Sequence, residues 1–139
     1  MAHFDDLTPC TYFPGTADKL RAVGWLENGH PFPKGTTSAA FLARLKQLLV
    51  SPWAPIDFMG PHFCDLCPPG TRIGCVENLF VPTEDAVLVT PTLIEHYIEA
   101  HQYQPPELFI AAVMRCPEMN SPEYVAAINR RYRPFEPSP

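Results

Sequence analysis

The tightest constraint on how this chain folds is a set of four residues that can work together only if they meet. Cys64-Asp65-Leu66-Cys67 is a Cys-x-x-Cys turn, and His96 and His101 follow as a pair after 28 intervening residues. Thiolates and imidazoles in this order are the donors of a tetrahedral zinc site. If one Zn2+ ion holds all four, the chain must leave the turn and return to it. Residues 72–81 read as a strand, Pro82-Thr83-Glu84-Asp85 as a turn and residues 86–89 as a second strand, which together predict a hairpin. Ile73 and Cys75 are expected to face inward. A helix then begins either at Thr90-Pro91, an N-cap followed by proline, or at Thr92 with Glu95 as a capping box, and runs to about His101. The order knuckle, hairpin, helix is that of a Cys2His2 finger, enlarged because the common finger has about a dozen residues between its two pairs.

Two features strain this reading. His96 and His101 are five residues apart, which is about 140° around an ideal helix. A loosened last turn would bring them together, and Pro105-Pro106 requires the helix to end nearby. His62, two residues before Cys64, is a rival ligand, and Cys75 is a second, although a strand cysteine more often serves as a small apolar side chain. Four protein ligands leave no position for a reactive water, so the ion is expected to be structural. His96-Tyr97-Ile98-Glu99-Ala100-His101 superficially resembles a metalloprotease helix. It matches neither His-Glu-x-x-His nor His-x-x-Glu-His, so no catalytic residue is assigned. With one ligand misassigned, a zinc hydrolase using Glu95 or Glu99 as base is the remaining enzymatic alternative.

The rest of the chain is dominated by 18 prolines among 139 residues, which forbid long regular elements. Short helices, short strands and fixed turns follow. A chain of this length buries about two-thirds of its unfolded surface, enough for a single domain with its own core. Residues 1–35 read as an irregular arm, with an extended segment at 21–26 and a rigid loop at 29–35. Residues 36–51 read as a helix with Thr36, Thr37 or Ser38 as N-cap and Phe41, Leu42, Leu45, Leu48 and Leu49 on its apolar face. Residues 53–61 are apolar and irregular, 62–101 form the zinc unit, and 105–133 hold two further helices before a frayed tail. The expected class is α+β: one small domain in which the zinc unit packs against several short α-helices.

Charge narrows the function. The net charge is −5, and the predicted finger helix carries Glu95 and Glu99 with no lysine or arginine. Nucleic-acid binding through that helix, the second alternative, needs the opposite balance. The acids elsewhere, including Asp5, Asp6, Asp57 and Asp65, sit at no diagnostic spacing and read as solvated. Arg130, Arg131 and Arg133 suit the negative end of a helix dipole. The start of the chain has neither the basic nor the apolar region of a secretory signal, and no apolar run approaches a membrane span. Five cysteines without a signal point to the cytoplasm and to metal ligation rather than disulfides.

Several stretches resemble an uncharacterised family of small bacterial proteins. They are Asp6-Leu7-Thr8-Pro9, then Val23-Gly24-Trp25-Leu26 with Gly29-His30-Pro31-Phe32-Pro33 and Gly35, then His62, Cys64 and Cys67, then Asn78-Leu79-Phe80-Val81-Pro82. The last is His96-Tyr97-Ile98 with His101, Tyr103, Pro105-Pro106, Phe109 and Ala112-Val113. The resemblance reaches about residue 115. It implies a cytosolic bacterial protein and supports the ligand set, but it brings no activity. The expected function is non-enzymatic: a zinc-stabilised protein acting through contact with another protein. By class-level analogy its sharpest form is an immunity or inhibitor protein for a cognate toxin. Trp25, His30 and Phe32 are the expected anchors for that partner, since aromatic residues concentrate binding energy; the competing reading places Trp25 and Phe32 in the core.

Overall fold

The computed structural model describes residues 3–13, 17–54 and 61–133. Pro14 and Gly15, most of the 53–61 stretch with Asp57, and the proline-rich tail from 134 lie outside the described residues. A 3-10 turn, Ala17–Lys19, leads into β1 (Leu20–Ala22). Then come α1 (Ala39–Leu49), β2 (His62–Phe63), β3 (Gly74–Cys75), β4 (Asn78–Pro82), β5 (Val87–Pro91), α2 (Ile94–His101), α3 (Glu107–Arg115) and α4 (Pro122–Asn129). The class is α+β, in one small domain.

The main sheet has the order β1-β5-β4. β4 and β5 form the hairpin expected from sequence, with Phe80 opposite Val89. Thr83 closes its turn: its N–H and hydroxyl donate to the Ala86 carbonyl at 2.8 and 2.9 Å, and its hydroxyl oxygen accepts from the Ala86 N–H at 2.9 Å. β5 is the central strand and is buried along its whole length, the pattern of a strand covered on both faces. β1 lies parallel to it, Arg21 opposite Leu88, an association with no local signature in the sequence. The Phe80 ring packs against Phe13, Trp53 and Tyr132, and the Tyr124 hydroxyl of α4 donates to the Phe80 carbonyl at 2.5 Å. α1 and α3 pack on one another through Phe41 and Phe109.

Local signals in the sequence set the helix ends where they exist. Ser38 accepts from the Phe41 N–H at 3.1 Å and starts α1, whose buried stripe is Phe41, Leu45 and Leu48. Ser121 accepts from the Tyr124 N–H at 3.2 Å and starts α4, with Pro122 at its first position. The start of α2 differs from the sequence reading. Thr90 and Pro91 complete β5, and the Thr92 N–H and hydroxyl both donate to the Glu77 carbonyl, at 3.1 and 3.2 Å. Thr92 thereby continues the strand pairing, and the helix begins at Ile94 with no side-chain cap.

The long strand expected over 72–81 is two elements. β3 turns back to pair with β2, Phe63 opposite Gly74, while β4 joins the main sheet. Gly74 permits this: a Cβ there would lie 2.6 Å from the Phe63 ring and 2.7 Å from the His62 carbonyl oxygen. Ile73 accordingly points outward, 41% exposed, rather than into the core. The N-terminal arm is ordered along the outer edge of β1. The Leu7 N–H donates to the Ala22 carbonyl, the Ala22 N–H to Thr8 and the Cys10 N–H to Leu20. No helix among the described residues is long and apolar enough to cross a membrane.

Candidate metal centre

The two-stranded ribbon delivers the cysteines and α2 delivers the histidines. Pairing of β2 with β3 is extended by the Cys64 N–H, which donates to the Ile73 carbonyl at 2.8 Å and fixes the first thiol just past the ribbon. Three residues on, the turn returns Cys67 to the same side. On α2, His96 and His101 occupy the first and last turns, and the chain then leaves through Gln102 in the left-handed conformation (φ 58°). The helix stays regular through His101, so no loosened turn is required. The two imidazoles span the angular gap by themselves, meeting edge to face with centroids 5.0 Å apart.

Cys64 Sγ lies 3.4 Å from His101 Nε2, and Cys67 Sγ lies 3.2 Å from His96 Nε2 and 3.4 Å from His101 Nε2. All four donor atoms fall within 4.8 Å of one another, so Cys64, Cys67, His96 and His101 could hold a metal ion. Cys64 is buried and the other three are half-exposed, which places the centre at the surface rather than in a cleft. Burial raises the Cys64 thiol above its ordinary value, with Cys67 adding to the effect. Burial together with His96 lowers His101. His101 is thus favoured as a neutral donor, while the thiols surrender their protons on metal binding.

The rival donors lie elsewhere. His62 is 1% exposed, its Nε2 3.3 Å from the Tyr97 hydroxyl and its ring beside Trp25. Burial lowers its pKa to about 4, so it is a neutral part of the wall behind the quartet. Cys75 is half-buried opposite His62 and is likewise outside the cluster.

Of the three residues expected to anchor a partner, Trp25 is fully buried and its indole N–H donates to the Val89 carbonyl at 3.0 Å. It belongs to the core and cannot meet a partner, because its ring is needed to cover the sheet. Phe32 is half-buried against Tyr103, and His30 is exposed, stacked on His3 at 3.9 Å.

Three polar residues matter more than their spacing suggested. Asp65, inside the Cys-x-x-Cys turn, accepts the Asn28 N–H at 2.9 Å and ties the knuckle to the Gly29–Pro33 loop region. Lys46 of α1 lies 3.7 Å from Glu95 and 3.4 Å from Glu99, so it partly neutralises the exposed face of α2. Asp6 is half-buried and accepts the Tyr103 hydroxyl on both oxygens, at 2.9 and 2.8 Å, and the Gly24 N–H at 3.0 Å. Gly24 has φ +72°, and a Cβ there would lie 3.0 Å from the Thr90 hydroxyl. Asp-Leu-Thr-Pro at 6–9 looks like an ordinary turn, and nothing local links it to Tyr103. Arg131 also departs from the dipole reading, since its guanidinium donates to the Glu84 carbonyl and pins the end of α4 to the β4–β5 turn.

No curated protein and no solved structure matches the chain. A family profile, described as a domain of unknown function (DUF7919), matches residues 2–114, and because this is most of the 139-residue chain, the protein belongs to that uncharacterised family.

Proposed function

We propose that the protein is a non-enzymatic, zinc-stabilised module that acts by contact with another protein, in its sharpest form an immunity or inhibitor protein for a toxin. The observation that carries the zinc reading is the spacing of the donors. Zn–S bonds of about 2.3 Å and Zn–N bonds of about 2.0–2.1 Å at the tetrahedral angle define an S···N edge of about 3.5 Å. The sulfur–nitrogen separations of 3.2–3.4 Å fit that edge with little adjustment. Two thiolates and two imidazoles favour zinc over harder divalent ions, and four such donors fill its coordination sphere. The zinc then works as a clamp between ribbon and helix.

Support for a protein partner comes from what the clamp displays. Phe63, Ile73 and Val76 are 36%, 41% and 49% exposed on or beside the ribbon, a local concentration of apolar surface in an acidic protein. His30 remains on the surface as a further contact. The acidic α2, bridged to Lys46, speaks against a phosphate backbone as partner.

Native mass spectrometry tests the zinc reading: one zinc per chain is expected, with loss or marked weakening in Cys64→Ser, Cys67→Ser, His96→Ala and His101→Ala. Retention at full occupancy in any of these removes that ligand from the set. Co-expression with the product of a neighbouring toxin-like gene tests the partner reading. Growth rescue is expected from the wild type and lost in an Ile73→Asp, Val76→Asp double variant that keeps its zinc; rescue by neither protein overturns the immunity role.

A further inference from the structure

None of the four metal ligands lines the half-open groove of ≈ 630 Å³ that runs between β1 and α3. Its volume is that of a small-molecule site. The floor is Leu88, fully buried in β5, with Ala111 and Ala112 of α3, whose short side chains leave the space open. One end is apolar. Leu7 lies there beside Ala22, and Leu108 comes from the first turn of α3. Tyr103, just ahead of α3, donates to Asp6, the neighbour of Leu7, which ties the Leu7 turn to the segment leading into α3. Leu7 and Leu108 stay 38% and 50% exposed, and Leu7 is held at φ 68°, a region sparsely occupied by residues other than glycine.

Toward the other end stand Lys19, just before β1, and Arg115, in the last turn of α3. Arg21 lies between the two ends. Its Nη1 donates to the carbonyls of Asp18 and Leu20 at 2.9 and 3.0 Å, which fixes the guanidinium, while Nη2 and Nε make no hydrogen bond among the described residues. None of these three cations forms an ion pair among the described residues, in a chain with 15 acidic and 10 basic residues. A planar guanidinium held through Nη1, with Nη2 and Nε left as an adjacent pair of donors in a groove-lining residue, matches a carboxylate. Glu84 and Asp85, on the turn side of the rim, repel a second negative charge.

We propose that this groove binds an amphiphilic monocarboxylate of small-molecule size. The carboxylate sits on Arg21 Nη2 and Nε, with Lys19 and Arg115 adding positive charge, and the apolar body lies over Leu88 and the two alanines toward Leu7 and Leu108. The site is independent of the zinc reading and of any protein partner.

The test is a titration of the full chain with decanoate, kept below its micelle concentration, followed by amide NMR with decanol as the uncharged control. Saturable shifts centred on Ala86, Ala111 and Arg115 are expected, with decanol binding at least about tenfold more weakly, the loss that a charge-assisted bidentate contact implies. Arg21→Gln should weaken decanoate by a similar factor and leave decanol unchanged. Ala111→Trp, at an exposed helix position, should block both ligands while the remaining spectrum stays that of the wild type. Equal binding of decanoate and decanol, decanoate binding unaffected by Arg21→Gln, or no saturable shifts at all overturns the proposal.

Discussion

At the scale of single residues, the Asp6–Tyr103 contact is the sharpest departure from a reading of local sequence. It joins the Asp6–Leu7 turn of the arm to the segment after α2, 97 positions away. Burial holds the Asp6 carboxyl above the usual carboxylate range, and the hydrogen bonds from Gly24 and Tyr103 offset part of that rise. A carboxyl raised by folding stabilises the native state below its unfolded-state pKa, and that stabilisation is lost as pH rises through the folded value. Asp6→Asn has no proton to lose. Urea denaturation of both proteins in chelator should therefore show the wild type's advantage over Asp6→Asn largest near about pH 3 and shrinking as pH rises past the ordinary aspartate range. A difference constant from about pH 3 to pH 7 would contradict the assignment. Tyr103→Phe, which strips both carboxylate oxygens of their hydroxyl donor, should cost about 1–3 kcal/mol.

At the scale of elements, β2 and β3 are the weakest pieces. Each has two residues, and a ribbon that short does not hold together in water without further support. The proposed zinc clamp would supply that support by joining it to α2 through the quartet, together with the Asp65–Asn28 contact. Removing the metal should therefore act locally. Hydrogen exchange should show the Cys64 amide, bonded to Ile73, opening about tenfold or more faster in chelator, a loss of roughly 1.4 kcal/mol of local stability. Amides in the β4–β5 hairpin, buried between two layers, should keep their protection. Equal acceleration in both places would mean that the ion holds the whole fold and not one ribbon. The same contrast explains what could be read from sequence. α1, α4 and the β4–β5 hairpin carry their own signals in Ser38, Ser121 and the Pro82–Asp85 turn, and all three form. The ribbon does not, because its pairing depends on Gly74 tolerating the Phe63 ring from eleven positions away. The start of α2 was obscured for a related reason: Thr90-Pro91 is a good helix opening, but burial in the central strand outweighs it.

At the scale of the whole molecule, the four candidate ligands were legible because coordination chemistry demands particular residue types, and their donor atoms do converge. The groove beside α3 was not, since Lys19 and Arg21 come to line it with Arg115 only in the folded chain, where β1 pairs with β5 and α3 forms the facing wall. Trp25 shows the same dependence, since its indole N–H finds its acceptor on Val89, 64 positions further along the chain. That pairing has a consequence in time. On a ribosome adding about 5–20 residues per second, Trp25 is made roughly 3–13 s before its acceptor. Throughout that interval the β1 strand, its arm and the indole are apolar cargo with no sheet to join, and nascent-chain chaperones would meet this end of the protein first. The N-terminal segment is synthesised early and cannot dock until β5, its pairing partner, has been made.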